Sequence, residues 1–224
     1  MRWSMTAIGF VAATLATSAC SGDGTGTTAR VAGAITAVSG DAQTDTVVAT
    51  LPNRLVVKVT DQQGNVLPGA TVTWSTLDGI LDSTTTHTDA GGQASAAWTL
   101  GATPGPMTAT ATVAGLAAVT FHASARVGAP AAIYFSGNGQ LAAAGTPLAA
   151  PILVLLKDRF GNPVPGATVN WSVLSGGGSL GASSTTTDTT GQAQVTWTLG
   201  APGAQSAKAS APDSLSVTFT ATAN

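Results

Sequence analysis

The sequence predicts an all-β chain folded as two tandem β-sandwiches, and three observations carry that prediction. The first is an internal repeat. Gly64-Asn65-Val66-Leu67-Pro68-Gly69-Ala70-Thr71-Val72-Thr73-Trp74-Ser75 returns as Gly161-Asn162-Pro163-Val164-Pro165-Gly166-Ala167-Thr168-Val169-Asn170-Trp171-Ser172, and Trp98-Thr99-Leu100-Gly101-Ala102 returns as Trp197-Thr198-Leu199-Gly200-Ala201. The tryptophan pairs are 97 and 99 residues apart, too far for solenoid or propeller units of roughly 20 to 50 residues, so each copy is a whole domain. The second is a strict alternation of apolar with hydroxyl-bearing residues, the period of a strand with one buried face. The third is composition: the chain has ten Asp and no Glu, a bias toward turns and away from helix.

Residues 1–19 read as a secretory signal. Arg2 precedes an apolar run from Met5 to Ala16, followed by the small residues Thr17, Ser18 and Ala19. The run is shorter than the roughly 20 apolar residues of a membrane-spanning helix. Cys20 is the sole cysteine, so no disulfide forms within the chain. Leu15-Ala16-Thr17-Ser18-Ala19-Cys20 resembles a bacterial lipobox, departing at Thr17, where that motif usually has Leu. The resemblance implies that Cys20 is lipidated and holds the mature chain to a membrane. Ser21 follows where an inner-membrane retention signal would have Asp, which points to the outer membrane or cell surface. Residues 20–30, rich in Gly and Thr, form a flexible leash.

Domain 1 is expected at residues 31–126, a short linker at 127–131 and domain 2 at 132–224. A first strand is expected near Ile35 to Val38. The inward faces of the next strands are Leu55, Val57 and Val59, then Val72 and Trp74, then Ala94, Ala96, Trp98 and Leu100, then Met107, Ala109, Ala111 and Val113, then Val119, Phe121 and Ala123. Domain 2 repeats this from Ile133 to Phe135, through Ile152, Val154 and Leu156, to Val217, Phe219 and Ala221. A weaker strand is expected through each Ser/Thr run. About seven strands per copy, in roughly 95 residues with frequent turns, meet the requirement of an immunoglobulin-like sandwich. Trp74, Trp98, Trp171 and Trp197, with Phe121 and Phe219, supply most of the core bulk. Each tryptophan contributes on the order of 5 kcal/mol as an upper bound, enough to replace the intersheet disulfide.

A turn motif recurs before the first tryptophan of each copy: Asp61, Gly64, Asn65, Pro68 and Gly69, then Asp158, Gly161, Asn162, Pro165 and Gly166. Asp caps the turn, Gly and Asn accept positive φ, and Pro-Gly starts the next strand. Calcium at a domain junction is the alternative use of these carboxylates together with Asp89 and Asp188, but one or two per copy fall short of six to eight oxygen ligands. No metal or cofactor is expected. The Ser83 to Asp89 and Ser183 to Asp188 stretches could meet sugars, yet the tryptophans face inward and offer no platform. His87 and His122 are the only histidines, and Thr186 and Thr220 stand in their places in domain 2. No catalytic pattern therefore repeats, and no enzyme activity is expected. Without residues 1–19 the chain has seven basic and ten acidic residues, which leaves no basic patch for nucleic acid.

The pattern Asp-x-x-Gly-Asn-x-x-Pro-Gly-Ala-Thr-Val-x-Trp-Ser, with Thr-Asp-x-x-Gly-Gln-Ala and Trp-Thr-Leu-Gly, resembles the bacterial Ig-like domains of group 1, the repeats of invasin and intimin. The resemblance covers roughly residues 31–224 and implies exported, non-catalytic modules acting as stalks or adhesive units. A lectin-like tip and membrane barrel do not fit in this length, so a receptor cannot be carried over. A lipid-anchored spacer or adhesion module is the first expectation, with domain 2 outermost. An accessory protein binding a glycan or protein through domain 2 loops is the second, resting on Phe160 in the place of Gln63 and on the Gly176-Gly177-Gly178 loop.

Overall fold

The computed structural model describes residues 30–224. The expected signal, Cys20 and most of the leash lie outside the described residues. Among the described residues there is no helix. Val31–Asn224 forms one compact unit.

Domain 1 contains β1 (Ala32–Ser39), β2 (Gln43–Thr46), β3 (Leu55–Asp61), β4 (Thr71–Thr76), β5 (Ile80–Leu81), β6 (Thr85–His87), β7 (Gln93–Ala96), β8 (Trp98–Thr99), β9 (Gly105–Thr112) and β10 (Val119–Arg126). Domain 2 repeats the series as β11 (Ala132–Ser136), β12 (Gln140–Ala142), β13 (Ile152–Lys157), β14 (Thr168–Ser175), β15 (Ser179–Leu180), β16 (Ser184–Thr186), β17 (Gln192–Val195), β18 (Trp197–Thr198), β19 (Gly203–Ser210) and β20 (Ser216–Ala223). Each domain pairs a three-stranded sheet, β1-β3-β7 or β11-β13-β17, with a five-stranded one, β2-β10-β9-β4-β6 or β12-β20-β19-β14-β16. A two-stranded ribbon, β5-β8 or β15-β18, completes it.

Two elements depart from the sequence expectation. The run expected as one strand from Ala94 to Leu100 is two: β7 pairs with β3, while β8 pairs with β5. The break falls at Ala97, whose N–H goes to the Asp82 carboxylate at 2.8 Å rather than into a ladder. The other is the first strand, which splits between sheets. Its second part, β2 or β12, runs parallel to β10 or β20. Short polar segments such as Gln43–Thr46 leave too little apolar alternation to announce a strand.

The cores lie between the sheets. Trp98 and Trp197 are 0 % exposed, and Trp74, Trp171, Phe121 and Phe219 are buried with them. Trp74 meets Phe121 with ring centroids 6.1 Å apart, and Trp171 meets Phe219 at the same 6.1 Å. A buried indole N–H needs an acceptor, and the Ser/Thr run provides it. Trp74 Nε1 donates to Thr86 Oγ1 at 2.8 Å and Trp171 Nε1 to Thr185 Oγ1 at 2.8 Å. The weak polar strand is thus a hydrogen-bonding wall of the core.

Candidate functional site

The repeated turn is a densely hydrogen-bonded polar feature, and in domain 2 it forms the joint with domain 1. β13 ends at Lys157, and Asp158 turns its carboxylate back into the turn. Its Oδ1 accepts the N–H groups of Phe160 at 2.8 Å and Asn162 at 2.9 Å. Its Oδ2 accepts Asn162 Nδ2 at 2.9 Å and the linker N–H of Gly128 at 3.2 Å. Gly161 has φ +86°, which a side chain would disfavour, and Pro163 pairs back to Lys157. Asn162 Nδ2 also donates to the Ala102 carbonyl of domain 1 at 2.8 Å. One turn therefore grips both the linker and the lower loop of the preceding domain.

The remaining linker contacts tighten the joint. Ala131 N–H donates to the Lys157 carbonyl at 2.8 Å, and Val127 packs on the domain 2 core. A groove of about 340 Å³ runs along one side between Val47, Pro130, Phe160 and Asp213. Phe160 lines this groove and stays 38 % exposed, with the Arg159 guanidinium carbon 4.5 Å from its ring centroid.

Electrostatically, Asp158 is a satisfied anion. Burial pushes its pKa up, but the Asn162 side chain and the N–H groups of Asn162, Gly128 and Phe160 outweigh it and hold the carboxyl below its ordinary value. Each carboxylate oxygen receives two N–H donors, the capacity of its lone pairs, so Asp158 offers nothing further to calcium. Among the described residues no three His, Cys, Asp or Glu come together as metal ligands.

The same turn in domain 1 differs in the reach of its asparagine amide. Asp61 Oδ1 accepts Gln63 N–H at 3.0 Å and Asn65 N–H at 2.8 Å, while Asn65 Nδ2 stands 3.4 Å from both carboxylate oxygens. Gly64, Gly69 and Gly166 all have positive φ. Pro68 and Pro165 precede those last two glycines, whose N–H groups donate to the Thr88 and Thr187 carbonyls at 2.8 Å. Asp188 lies in a turn, its carboxyl held low first by the Thr190 hydroxyl. His122 Nδ1 is 3.4 Å from Asp41 at the exposed surface, and His87 lies on edge strand β6.

Phe160 and the Gly176-Gly177-Gly178 loop lie at opposite ends of domain 2, since β14 runs from the joint end to that loop. The offset between copies is 97 at Leu77 and Leu174 but 99 at Gly79 and Gly178, so the loop is two residues longer than in domain 1. Trp98 Nε1 donates to the Asp78 carbonyl at 3.2 Å. Trp197 Nε1 has no acceptor among the described residues. Gln205, fully buried where domain 1 has Met107, occupies this end and bonds the Gly200 N–H and the Ala201 carbonyl. Sequence reasoning did not find the joint contacts of Asn162 and Ala102. Asn162 has a counterpart in Asn65, and a backbone carbonyl has no signature.

This architecture defines a two-domain β-sandwich protein of the immunoglobulin type. The chain belongs to the bacterial Ig-like domain (group 1) family, whose model matches residues 49–127 and 138–224. Among solved structures it is similar to the Escherichia coli adhesin FdeC, at 21% identity over 87% of this chain and 66% of that one, with a TM-score of 0.55. It is also similar to invasin, a bacterial integrin-binding protein, at 25% identity over 85% of this chain and 40% of that one, with a TM-score of 0.41. The D0-D1 domain of intimin matches at 20% identity, covering 85% of this chain and 95% of that one, with a TM-score of 0.34. The chain thus spans less than half of the invasin structure. No curated protein sequence matches it. Modules of this family are of the surface adhesion or spacer type.

Proposed function

We propose that the protein is a lipid-anchored, non-catalytic spacer that carries an adhesive surface away from the bacterial envelope. The joint is the observation that supports this reading most. A spacer transmits position only if its units do not bend freely, and here Asn162 bonds the lower loop of domain 1 while Asp158 clamps the Gly128 linker N–H. An enzyme would need converging reactive groups. The Asp158 cluster instead has its hydrogen-bonding capacity consumed by the fold.

Anchoring rests on Cys20 and the lipobox-like residues before it. Acyl chains contribute about 0.8 kcal/mol per buried methylene, and two or more hold firmly. Cell fractionation of the Cys20→Ala variant tests the anchor, with the protein expected to leave the membrane pellet for the soluble fraction. Retention in the pellet at the unaltered level would overturn it. The neighbours named as adhesins bring an adhesive role into the proposal by family, with the partner's identity left to experiment.

A second role, binding a glycan or protein through domain 2 loops, rests chiefly on the lower end, because Phe160 sits in the groove beside the linker. The longer tri-glycine loop there, beside the unpaired Trp197 N–H, is the observation that favours it. A glycan array with the Val31–Asn224 unit is the test, and silence across the array would leave the spacer reading ahead.

A further inference from the structure

We infer that the outer face of the β11-β13-β17 sheet is a binding platform for a neutral polysaccharide, with Tyr134 as the surface on which a sugar ring rests. The platform is a site apart from the domain 2 loops, and it does not depend on how the chain is anchored.

Side chains on one face of a sheet recur at every second residue, and the register decides which of them are neighbours. On the outward face Tyr134 stands opposite Leu155, and Leu155 opposite Gln192. One rung further along, Ser136 stands opposite Leu153, and Leu153 opposite Gln194. β11 pairs with β13 residue for residue, so these rungs stay level. In domain 1 the pairing of β1 with β3 shifts twice, between Ala32 and Ala34 and between Ala37 and Ser39. The matching rungs there are Thr36, Lys58 and Gln93, then Ser39, Val56 and Ser95, with no aromatic ring on either.

The chemistry of the domain 2 rungs fits a sugar. Tyr134 is 56 % exposed and Leu153 and Leu155 are half-buried beside it, which makes an open apolar floor. The C–H face of a pyranose covers such a floor as an apolar side chain would. Gln192 and Gln194 are exposed along its far side. A side-chain amide combines two N–H donors with a carbonyl acceptor, the set that neighbouring sugar hydroxyls need.

Charge on this face is already engaged within the fold. Lys157, opposite Ala132, holds its ammonium 5.7 Å from the Tyr134 ring centroid. Asp188, in the turn leading into β17, directs its carboxylate back to Thr190 and the Gln192 N–H. The groups left to meet a ligand are an aromatic ring, apolar carbons and two amides, which suit an uncharged chain. Size points away from a protein partner. Three strands about 4.8 Å apart, with rungs about 6.8 Å apart, give a floor of roughly 10 by 7 Å. A stable protein interface takes about 800 Å² from each partner, whereas this floor seats a short stretch of sugar chain. β11 and β17 are the edge strands of the sheet, so the platform is open along the ladder at both sides, as a long chain requires.

Tyr134 is the only tyrosine of the chain, so an NMR sample labelled at tyrosine reports on this face alone. The Val31–Asn224 unit, which holds both complete cores, would be titrated with oligosaccharide fragments of cellulose, mannan, xylan and dextran. At least one is expected to shift the tyrosine ring signal, with the same affinity at low and high salt. Gln194→Ala should weaken that affinity about fivefold to tenfold, and Gln93→Ala in domain 1 should leave it unchanged. A sugar held by the tri-glycine loop instead would leave the tyrosine signal still. A still signal in every titration, an affinity that falls as salt is added, or full affinity in Gln194→Ala would overturn the inference.

Discussion

The two domains share one backbone plan and one turn motif, and in domain 2 that turn serves as a joint with the domain before it. Asp61 and Asp158 close the same loop around the same Gly-Asn pair. In domain 2 the turn meets a preceding domain, and Asn162 Nδ2 finds the Ala102 carbonyl at 2.8 Å. In domain 1 the matching Asn65 amide stands 3.4 Å from its own carboxylate. A motif built for local turn geometry becomes an interdomain clamp when a neighbouring loop comes within reach. The lower ends differ in the opposite direction. Domain 1 keeps a short loop whose carbonyl satisfies Trp98, whereas domain 2 has two extra residues, a buried Gln205 and a Trp197 N–H with no acceptor among the described residues.

The largest expected effects separate the two indoles at the lower ends. Trp98→Ala and Trp197→Ala should each cost about 3 to 5 kcal/mol, enough to unfold a marginal domain. The replacements by Phe sharpen the comparison. Trp98→Phe strands the Asp78 carbonyl, while Trp197→Phe removes a donor that was already without an acceptor. Chemical denaturation should show Trp98→Phe costing more by about 1 kcal/mol. Equal losses would mean that the two indoles are equally satisfied in solution.

Next in size is the joint. Asp158→Ala removes the acceptor of four N–H bonds in a buried turn and should destabilise domain 2 by about 2 to 3 kcal/mol. Asn162→Ala is gentler and should remove about 1 kcal/mol of coupling. Its sharper readout is small-angle scattering, where the spread of interdomain angles should widen while Asn65→Ala leaves it unchanged. If both variants scatter alike, the Asn162 bond does not hold the joint.

The smallest effect contrasts two corners between the first strand and the last. In domain 1 Asp41 Oδ1 accepts the His122 N–H at 2.7 Å, and in domain 2 Asn138 Oδ1 accepts the Thr220 N–H at 2.6 Å. The His122 backbone bond is the main cause that holds the Asp41 carboxyl below its ordinary value. A carboxylate depressed on folding contributes stability above its unfolded pKa of about 3.9, and that contribution is lost as pH falls through the lower folded value. Asn138 does not titrate. In an NMR acid titration the His122 amide should shift in that window and the Thr220 amide should not.

Much of this was legible in the chain. The inward residues, the paired tryptophans and the turn glycines announce themselves because burial imposes period two and tight turns impose residue type. The break at Ala97 was not legible, since the alternation continues through it and only the Asp82 carboxylate diverts the backbone. Nor were the acceptors Thr86 and Thr185, because a Ser/Thr run reads the same whether its hydroxyls face water or an indole.

By itself the sequence determined two self-contained sandwiches, their cores and their turns, since these follow from local pattern and the demand to bury apolar surface. Only the tertiary structure decided that Asn162 reaches another domain and Asn65 does not, that β11 presents an unbulged edge where β1 is broken, and that Trp197 lacks the acceptor Trp98 has. The physical reason is common to all three. Nearly identical residues are told apart by what stands a few ångströms away in space, and distance in space is not encoded in the neighbours along the chain.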